Sequence, residues 1–530
     1  MVGSNAGASL RRARSRTTLV ALAAAGAVIA LLAAGCSASR SNGGSSSGGP
    51  ALGKPGRPDA PVAPGAPGAG DRAGATGADP DDISEVPVDQ QPISTFAVDV
   101  DTASYGYARR QLTDGRRPDP RTIRPEEFVN AFRQDYRQPA GNGFSLQVDG
   151  ARPPSTYSGD TGALRLMRVG LQTRAENLAD RTDAALTFVI DVSGSMGEPG
   201  KLDLVRDALD TLVDQLRPTD AVAIVAYNDR ARVLRQMTNV RNRGALHDAI
   251  DKLRAGGSTN LEEGLVAGYR VAREGYRDGA TNRVILLSDG LANVGNTQAE
   301  PILGQVREAA AKKIALLGVG VGSDYGDALM EQLADSGDGF VVYVSTLAQA
   351  RKVFVEQLPA TLAVRALDAK VQVTFDPATV VAHRLIGYEN RTLAASAFRN
   401  DRVDGGEVGP GHTVTALYLV RLRPDGAVGP RARVAEARVR WLDPSTREPS
   451  EGAVTVTEVN LADEFTASRP RLRQCYAAAY FAEVLRGSRL GGQVRLPDLA
   501  RIADGVAQAT EDADVTELAA LIRQAARLTG

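Results

Sequence analysis

The 530-residue chain is short of the side chains that carry most enzyme chemistry. It has three histidines, two cysteines and one tryptophan, and only 5% of its residues are aromatic. Two cysteines cannot build a disulfide framework, and three histidines leave little material for a histidine-rich metal site or for repeated proton transfer. The chain also lacks an excess of either charge, with 62 basic against 63 acidic side chains and a net charge of −1. No nucleic-acid partner is expected, because a phosphate backbone calls for a basic surface. What is present is a globular composition, 43% hydrophobic, on a chain long enough for two or three domains.

The N-terminus reads as an address. Arg11, Arg12, Arg14 and Arg16 precede an uncharged apolar run from Leu19 to Ala34, the order of an export signal. The run closes on Leu32-Ala33-Ala34-Gly35-Cys36, which resembles a bacterial lipobox, although the family pattern has leucine where this chain has Ala33. The resemblance implies that residues 1–35 are a lipoprotein signal peptide and that acylated Cys36 sits in the lipid bilayer, with the folded body on the extracytoplasmic side. An ordinary cleaved signal and an uncleaved anchor are the alternatives. Residues 36–92 are rich in glycine, proline, serine and alanine, with no aromatic residue from Ser37 to Asp82. Such a segment buries too little surface to offset its ordering entropy, so it reads as a tether spanning roughly 40 Å.

From residue 184 to 356 short apolar runs alternate with amphipathic segments, the pattern of an α/β domain. Strands are expected at Leu186 to Val192, Ala221 to Tyr227, Val284 to Ser288, Ile314 to Val321 and Phe340 to Val344, with a short edge strand at Ala231 to Leu234. Their continuous Val, Ile and Leu content fits parallel strands buried on both faces. Helices are expected between them, the clearest at Leu202 to Leu216, where Leu202, Val205, Leu209, Leu212, Val213 and Leu216 form one stripe.

Oxygen-bearing side chains gather at the predicted strand ends. Asp191-Val192-Ser193-Gly194-Ser195 follows the first strand, Gly256-Gly257-Ser258-Thr259-Asn260 precedes a helix, and Leu286-Leu287-Ser288-Asp289-Gly290 ends a later strand. Loops at the carboxyl ends of a parallel sheet are where ligands collect, and an all-oxygen donor set suits a hard cation such as Mg²⁺ or Mn²⁺. Two nearby patterns are rejected: Val319-Gly320-Val321-Gly322 lacks dinucleotide-loop spacing, and Ser195 to Leu202 lacks the first glycine and final hydroxyl of a phosphate loop.

These pieces resemble the metal-ion-dependent adhesion site of von Willebrand factor type A domains, which are Rossmann-like, doubly wound and mostly parallel. The D-x-S-x-S motif matches Asp191, Ser193 and Ser195, the threonine loop matches Thr259, and the distal aspartate matches Asp289. The resemblance implies direct ligation by Ser193 and Ser195, direct or water-mediated ligation by Thr259, and largely water-mediated contact by Asp191 and Asp289. An open coordination position then accepts an acidic oxygen from a partner.

Both flanks carry further signals. In 93–180, Phe96-Ala97-Val98-Asp99-Val100-Asp101-Thr102-Ala103-Ser104-Tyr105 reads as a strand followed by a helix capped by Asp101 or Thr102, and Arg124-Pro125-Glu126-Glu127-Phe128-Val129-Asn130 as the start of a second helix. In 360–530, alternating runs predict strands at Val371 to Phe375, Val380 to Ile386, Thr413 to Leu422, Ala435 to Trp441 and Val454 to Leu461. Helices follow at Leu472 to Leu485, Leu496 to Gln508 and Val515 to Leu528. Cys475 reads as a buried thiol and His412 as structural. With Leu385-Ile386-Gly387-Tyr388-Glu389-Asn390-Arg391 and Gly411 to Tyr418, these segments resemble one bacterial family of type A domain lipoproteins with an uncharacterised C-terminal domain. The expected fold is α/β, the sheet domain being flanked by a β-rich platform and C-terminal helices.

The favoured function is a membrane-anchored, non-enzymatic binding protein. Its divalent cation engages an exposed Asp or Glu of a protein partner in adhesion or envelope assembly. A metal-assisted envelope hydrolase is the alternative, but no general base accompanies the motif. A scaffold in which the metal only stabilises the fold is the third reading.

Overall fold

The computed structural model describes residues 85–98, 100–175, 181–290, 299–322, 327–337, 339–344, 346–351, 353–354, 364–403, 405–424, 429, 431–444 and 446–529. The expected signal peptide, Cys36 and most of the tether lie outside the described residues, as does Asp99. Among the described residues no helix is long and apolar enough to cross a membrane.

The central sheet has the order Phe340–Val344, Ile314–Val321, Thr281–Ser288, Ala184–Asp191, Ala221–Tyr227 and Ala231–Asn239, parallel except for the last strand. All eight residues of Ala184–Asp191 are buried, because helices cover both sides. Leu186, Phe188 and Ile190 pack with Val205, Leu209 and Leu212 of the helix Leu202–Gln215. Val189, on the opposite face, packs with Leu265 and Tyr269 of the helix Leu261–Glu274. Burying each such side chain contributes about 1.5–3 kcal/mol. The edge strand runs on to Asn239, further than its apolar start at Ala231 to Leu234 indicated, because antiparallel pairing with Ala221–Tyr227 holds its half-buried polar residues.

The two flanks pair strand to strand. Ile93–Ala97 lies antiparallel to Ala366–Phe375, and Leu164–Thr173 antiparallel to Thr413–Leu422. Two sheets face each other across a core that includes Val169, Leu171, Val371, Val373, Phe375, Tyr418 and Val439. On the outer face of one sheet, Leu166, Leu417 and Leu419 join residues of the helices Ala103–Thr113, Pro125–Asn130, Pro470–Arg486, Leu496–Thr510 and Ala513–Thr529. The strands Phe144–Ala151 and Leu164–Thr173 were not expected from the sequence. Their polar residues masked them; Arg168 faces Asp149 across the pair and holds it through two hydrogen bonds of 2.8 and 2.7 Å.

Two local expectations are corrected. The tether does not extend to residue 92: Val86–Pro87 pairs with the strand Val380–Ile386, Val88 is buried, and Glu85 meets Arg421 at 2.7 Å. The helix Ala103–Thr113 has no side-chain cap from Thr102. Asp101 instead accepts the Val341 N–H at 2.6 Å and pairs with Arg391 at 3.3 Å, tying the edge of the central sheet to the platform. Glu127 accepts the Ser104 N–H at 2.8 Å, a donor the cap would have served.

The flank segments that carry the family resemblance converge. Asn130 donates to the Tyr388 hydroxyl at 3.2 Å and accepts the Thr415 N–H at 2.9 Å, while that hydroxyl donates to the Thr415 carbonyl at 3.0 Å. Cys475 is buried as expected, its thiol donating to Gln134 at 3.0 Å.

Candidate metal centre

The site forms where the sheet's connections part. The chain leaves Ala184–Asp191 toward Ala221–Tyr227 on one side, while Thr281–Ser288 lies on the other, so the strand-end loops diverge and open a crevice. Parallel register sets Ile190 opposite Leu287, which brings Asp191 and Ser288 side by side.

Asp191 is fully buried. Its Oδ1 accepts the Ser193 N–H at 2.8 Å, and its Oδ2 accepts the Ser288 hydroxyl at 2.8 Å and the Tyr227 hydroxyl at 3.4 Å. The Oγ atoms of Ser193 and Ser195 are 3.2 Å apart, and Ser195 donates to Asp289 Oδ1 at 3.0 Å. Hydrogen bonds thus link Asp191, Ser193, Ser195 and Asp289. The threonine loop is docked against them by its backbone: the Gly256 N–H donates to the Val192 carbonyl at 2.8 Å, and the Gly194 N–H to the Gly257 carbonyl at 2.9 Å. Gly257 has φ +86°, and a Cβ there would lie 2.3 Å from Asp229 Oδ2, so a side chain would push the loop out of place. Thr259 is 6% exposed in this loop, and Asn260 caps the following helix by accepting the Glu263 N–H at 3.2 Å.

Three contributors were not singled out from the sequence. Ser288 and Tyr227 orient Asp191, and each stands at the end of an expected strand beside the motif. Lys201 is the third: its ammonium lies 2.8 Å from Asp289 Oδ2 and 2.9 Å from Glu198. Burial pushes the Asp191 carboxyl up, donors from Ser193 and Ser288 oppose this, and the charge of Asp289 adds to the rise. Burial pulls Lys201 down, but Asp289 and Glu198 outweigh it and leave the ammonium raised.

The donor chemistry fits a hard dication. Two carboxylates and three hydroxyls, all oxygen, come from three adjoining loops, and the ammonium on Asp289 shows that the cluster attracts positive charge. Among the described residues no group of three or more His, Cys, Asp or Glu forms a rival metal site.

Residues 185–356 match the family model of the von Willebrand factor type A domain, 80–160 a model described as von Willebrand factor, and 360–528 one described as uncharacterized protein YfbK, C-terminal. The uncharacterized protein YfbK of Escherichia coli K12 is 33% identical over 423 residues, covering 76% of this chain and 72% of that protein. The chain belongs to the YfbK family. This YfbK-family chain therefore carries a type A domain, a class that commonly mediates metal-dependent protein interaction and often holds an ion at its adhesion site. The uncharacterized protein sll0103 of Synechocystis is 30% identical over 213 residues, 39% of this chain and 50% of that protein. Among solved structures, a von Willebrand factor type A protein from Catenulispora acidiphila aligns at 18% identity with a TM-score of 0.44, over 71% of this chain and 89% of that one.

Proposed function

We propose that this protein is a non-enzymatic, membrane-anchored binding protein that engages an acidic group of a protein partner through a divalent cation, in adhesion or envelope assembly. The observation that carries the reading is the hydrogen-bonded chain from Asp191 through Ser193 and Ser195 to Asp289, beside the loop that holds the buried Thr259. Mg²⁺ or Mn²⁺ held there would supply a Lewis-acidic position for a partner's carboxylate. Ser193 and Ser195 present hydroxyl oxygens as direct ligands, Thr259 adds one directly or through water, and the two aspartates balance charge through water. Ser288 and Tyr227 hold the Asp191 carboxylate in its orientation.

Calorimetric titration of the full chain with Mg²⁺ and Mn²⁺, in wild type and Asp191→Ala, tests the site. Binding in the wild type and none in the variant is the expected result; equal affinity in both would sink the assignment. The anchor is tested separately by Cys36→Ser, which should move the protein from the membrane fraction to the soluble fraction and abolish fatty-acid labelling. Retention of the label in that variant would overturn lipidation at Cys36.

A further inference from the structure

Lys201 precedes the helix Leu202–Gln215, and its side chain turns into the metal centre. The residue is 3% exposed, with Nζ 2.8 Å from Asp289 Oδ2 and 2.9 Å from Glu198 Oε2. Its aliphatic stem lies against Gly322, at the end of the strand Ile314–Val321. There φ is +88°, and a Cβ would come within 2.7 Å of Lys201 Cε. The backbone thus leaves room for this one side chain. A walled-in ammonium is costly without a carboxylate beside it, so Lys201 and Asp289 hold each other.

Charge counting gives the consequence. Asp191 and Asp289 with Lys201 sum to one negative charge, and a dication turns this into one positive charge that a single carboxylate neutralises. Without Lys201 the loaded centre would already be neutral. Glu198 is 61% exposed, so water and salt screen its charge.

Resting on the metal-site reading proposed above, we infer that Lys201 is a built-in counter-cation of the centre. It weakens cation binding by the ligand-free site and makes the loaded site demand an anionic ligand. Two substitutions of opposite sign test this. Lys201→Met keeps the stem and removes the charge; Glu198→Gln removes one of the carboxylates that hold the ammonium.

Full-length wild type, Lys201→Met and Glu198→Gln are titrated with Mg²⁺ by calorimetry, without and with acetate as the probe carboxylate. Lys201→Met is expected to bind Mg²⁺ about tenfold tighter or more, and Glu198→Gln about twofold to threefold weaker. Acetate should tighten Mg²⁺ binding in the wild type more than in Lys201→Met, since the two ligands are thermodynamically coupled. Mg²⁺ binding that appears only in Lys201→Met also supports the inference. Equal or weaker binding by Lys201→Met, with the wild type binding normally, overturns the role of Lys201 and leaves the metal site standing. Tighter binding with an undiminished acetate effect overturns the demand for an anion, and no binding in any form overturns both the inference and the reading beneath it. Should Lys201→Met not fold by circular dichroism, Lys201→Gln, which also removes the charge but keeps a polar group beside Asp289, is titrated in its place and judged by the same outcomes.

Discussion

The central domain and the platform are both built on sheets, yet they use sequence in opposite ways. Every strand of the central sheet comes from one continuous stretch, residues 184 to 344, and most strands pair with a partner an element or two away. The platform joins Ile93–Ala97 to Ala366–Phe375, with the whole central domain lying between them in the chain. The first arrangement leaves its strand-end loops free to gather polar side chains. The second spends its polar residues on closure, as Asn130, Tyr388 and Thr415 do. The difference teaches that buried polar groups in the platform close its fold, whereas those at the carboxyl ends of the central strands gather into one cluster, from Asp191 to Asp289.

Breaking the central domain from within should have the largest effect on stability. Asp220 accepts from both terminal nitrogens of Arg181, at 2.9 and 2.5 Å, and from the Ala184 and Arg217 N–H groups at 2.9 and 2.7 Å. Asp220→Ala strands a buried guanidinium and should cost about 3–5 kcal/mol. Hydrogen exchange should then accelerate in Ala184–Asp191 and Ala221–Tyr227 before Thr413–Leu422; simultaneous acceleration would show that the two bodies unfold as one.

Breaking the platform's polar closure should cost less. Tyr388→Phe removes the hydroxyl shared by Asn130 and Thr415 and should cost about 1–3 kcal/mol in urea unfolding. Mg²⁺ affinity should not change, and a shift in it would mean that the closure and the metal centre are coupled.

The smallest effect, and the one that separates the bodies by pH, comes from the histidines. His383 is pulled down by burial, and His412 by burial and the neighbouring Arg283 to about 4. Both belong to the platform, and both bind protons more weakly folded than unfolded. Their contribution is therefore present above about pH 6.5 and is lost as pH falls, for His412 toward about 4. His247, in the central domain, is raised by its hydrogen bond to Asp210 despite some burial. Its contribution is present below about pH 6.5 and lost as pH rises through its folded value. Acidification from pH 7 to 5 should therefore speed exchange in Val380–Ile386 and Thr413–Leu422 relative to the helix Arg243–Ile250, and His412→Gln should reduce the contrast. An unchanged contrast in that variant would remove His412 from the account.

Legibility followed the same divide. The strands Ala221–Tyr227, Ile314–Val321 and Phe340–Val344 stand where their apolar runs began and ended, and the helix Leu202–Gln215 follows its apolar stripe to within one residue. Loop position and oxygen chemistry picked out the segments Asp191 to Ser195, Gly256 to Asn260 and Leu286 to Gly290, and the resemblance to the adhesion site singled out Asp191, Ser193, Ser195, Thr259 and Asp289 within them. The strands Phe144–Ala151 and Leu164–Thr173 were illegible, because residues such as Arg168 break an alternation that only a cross-strand partner, Asp149, explains. Asp101 was misread as a helix cap because its partners, Val341 and Arg391, lie more than two hundred residues away.

Hydrophobic period and strand-end chemistry are local, so the chain alone determined the class of the central domain, its strands and the oxygens offered to a cation. Pairing between distant segments and the seating of a buried charge depend on what arrives from elsewhere in the chain. Those were decided only in three dimensions: the closure of the platform across residues 93 and 366, and the Lys201 ammonium resting on Asp289. A lone lysine before a helix carries no local sign of its partner, because the carboxylate it meets is set by the register of two parallel strands.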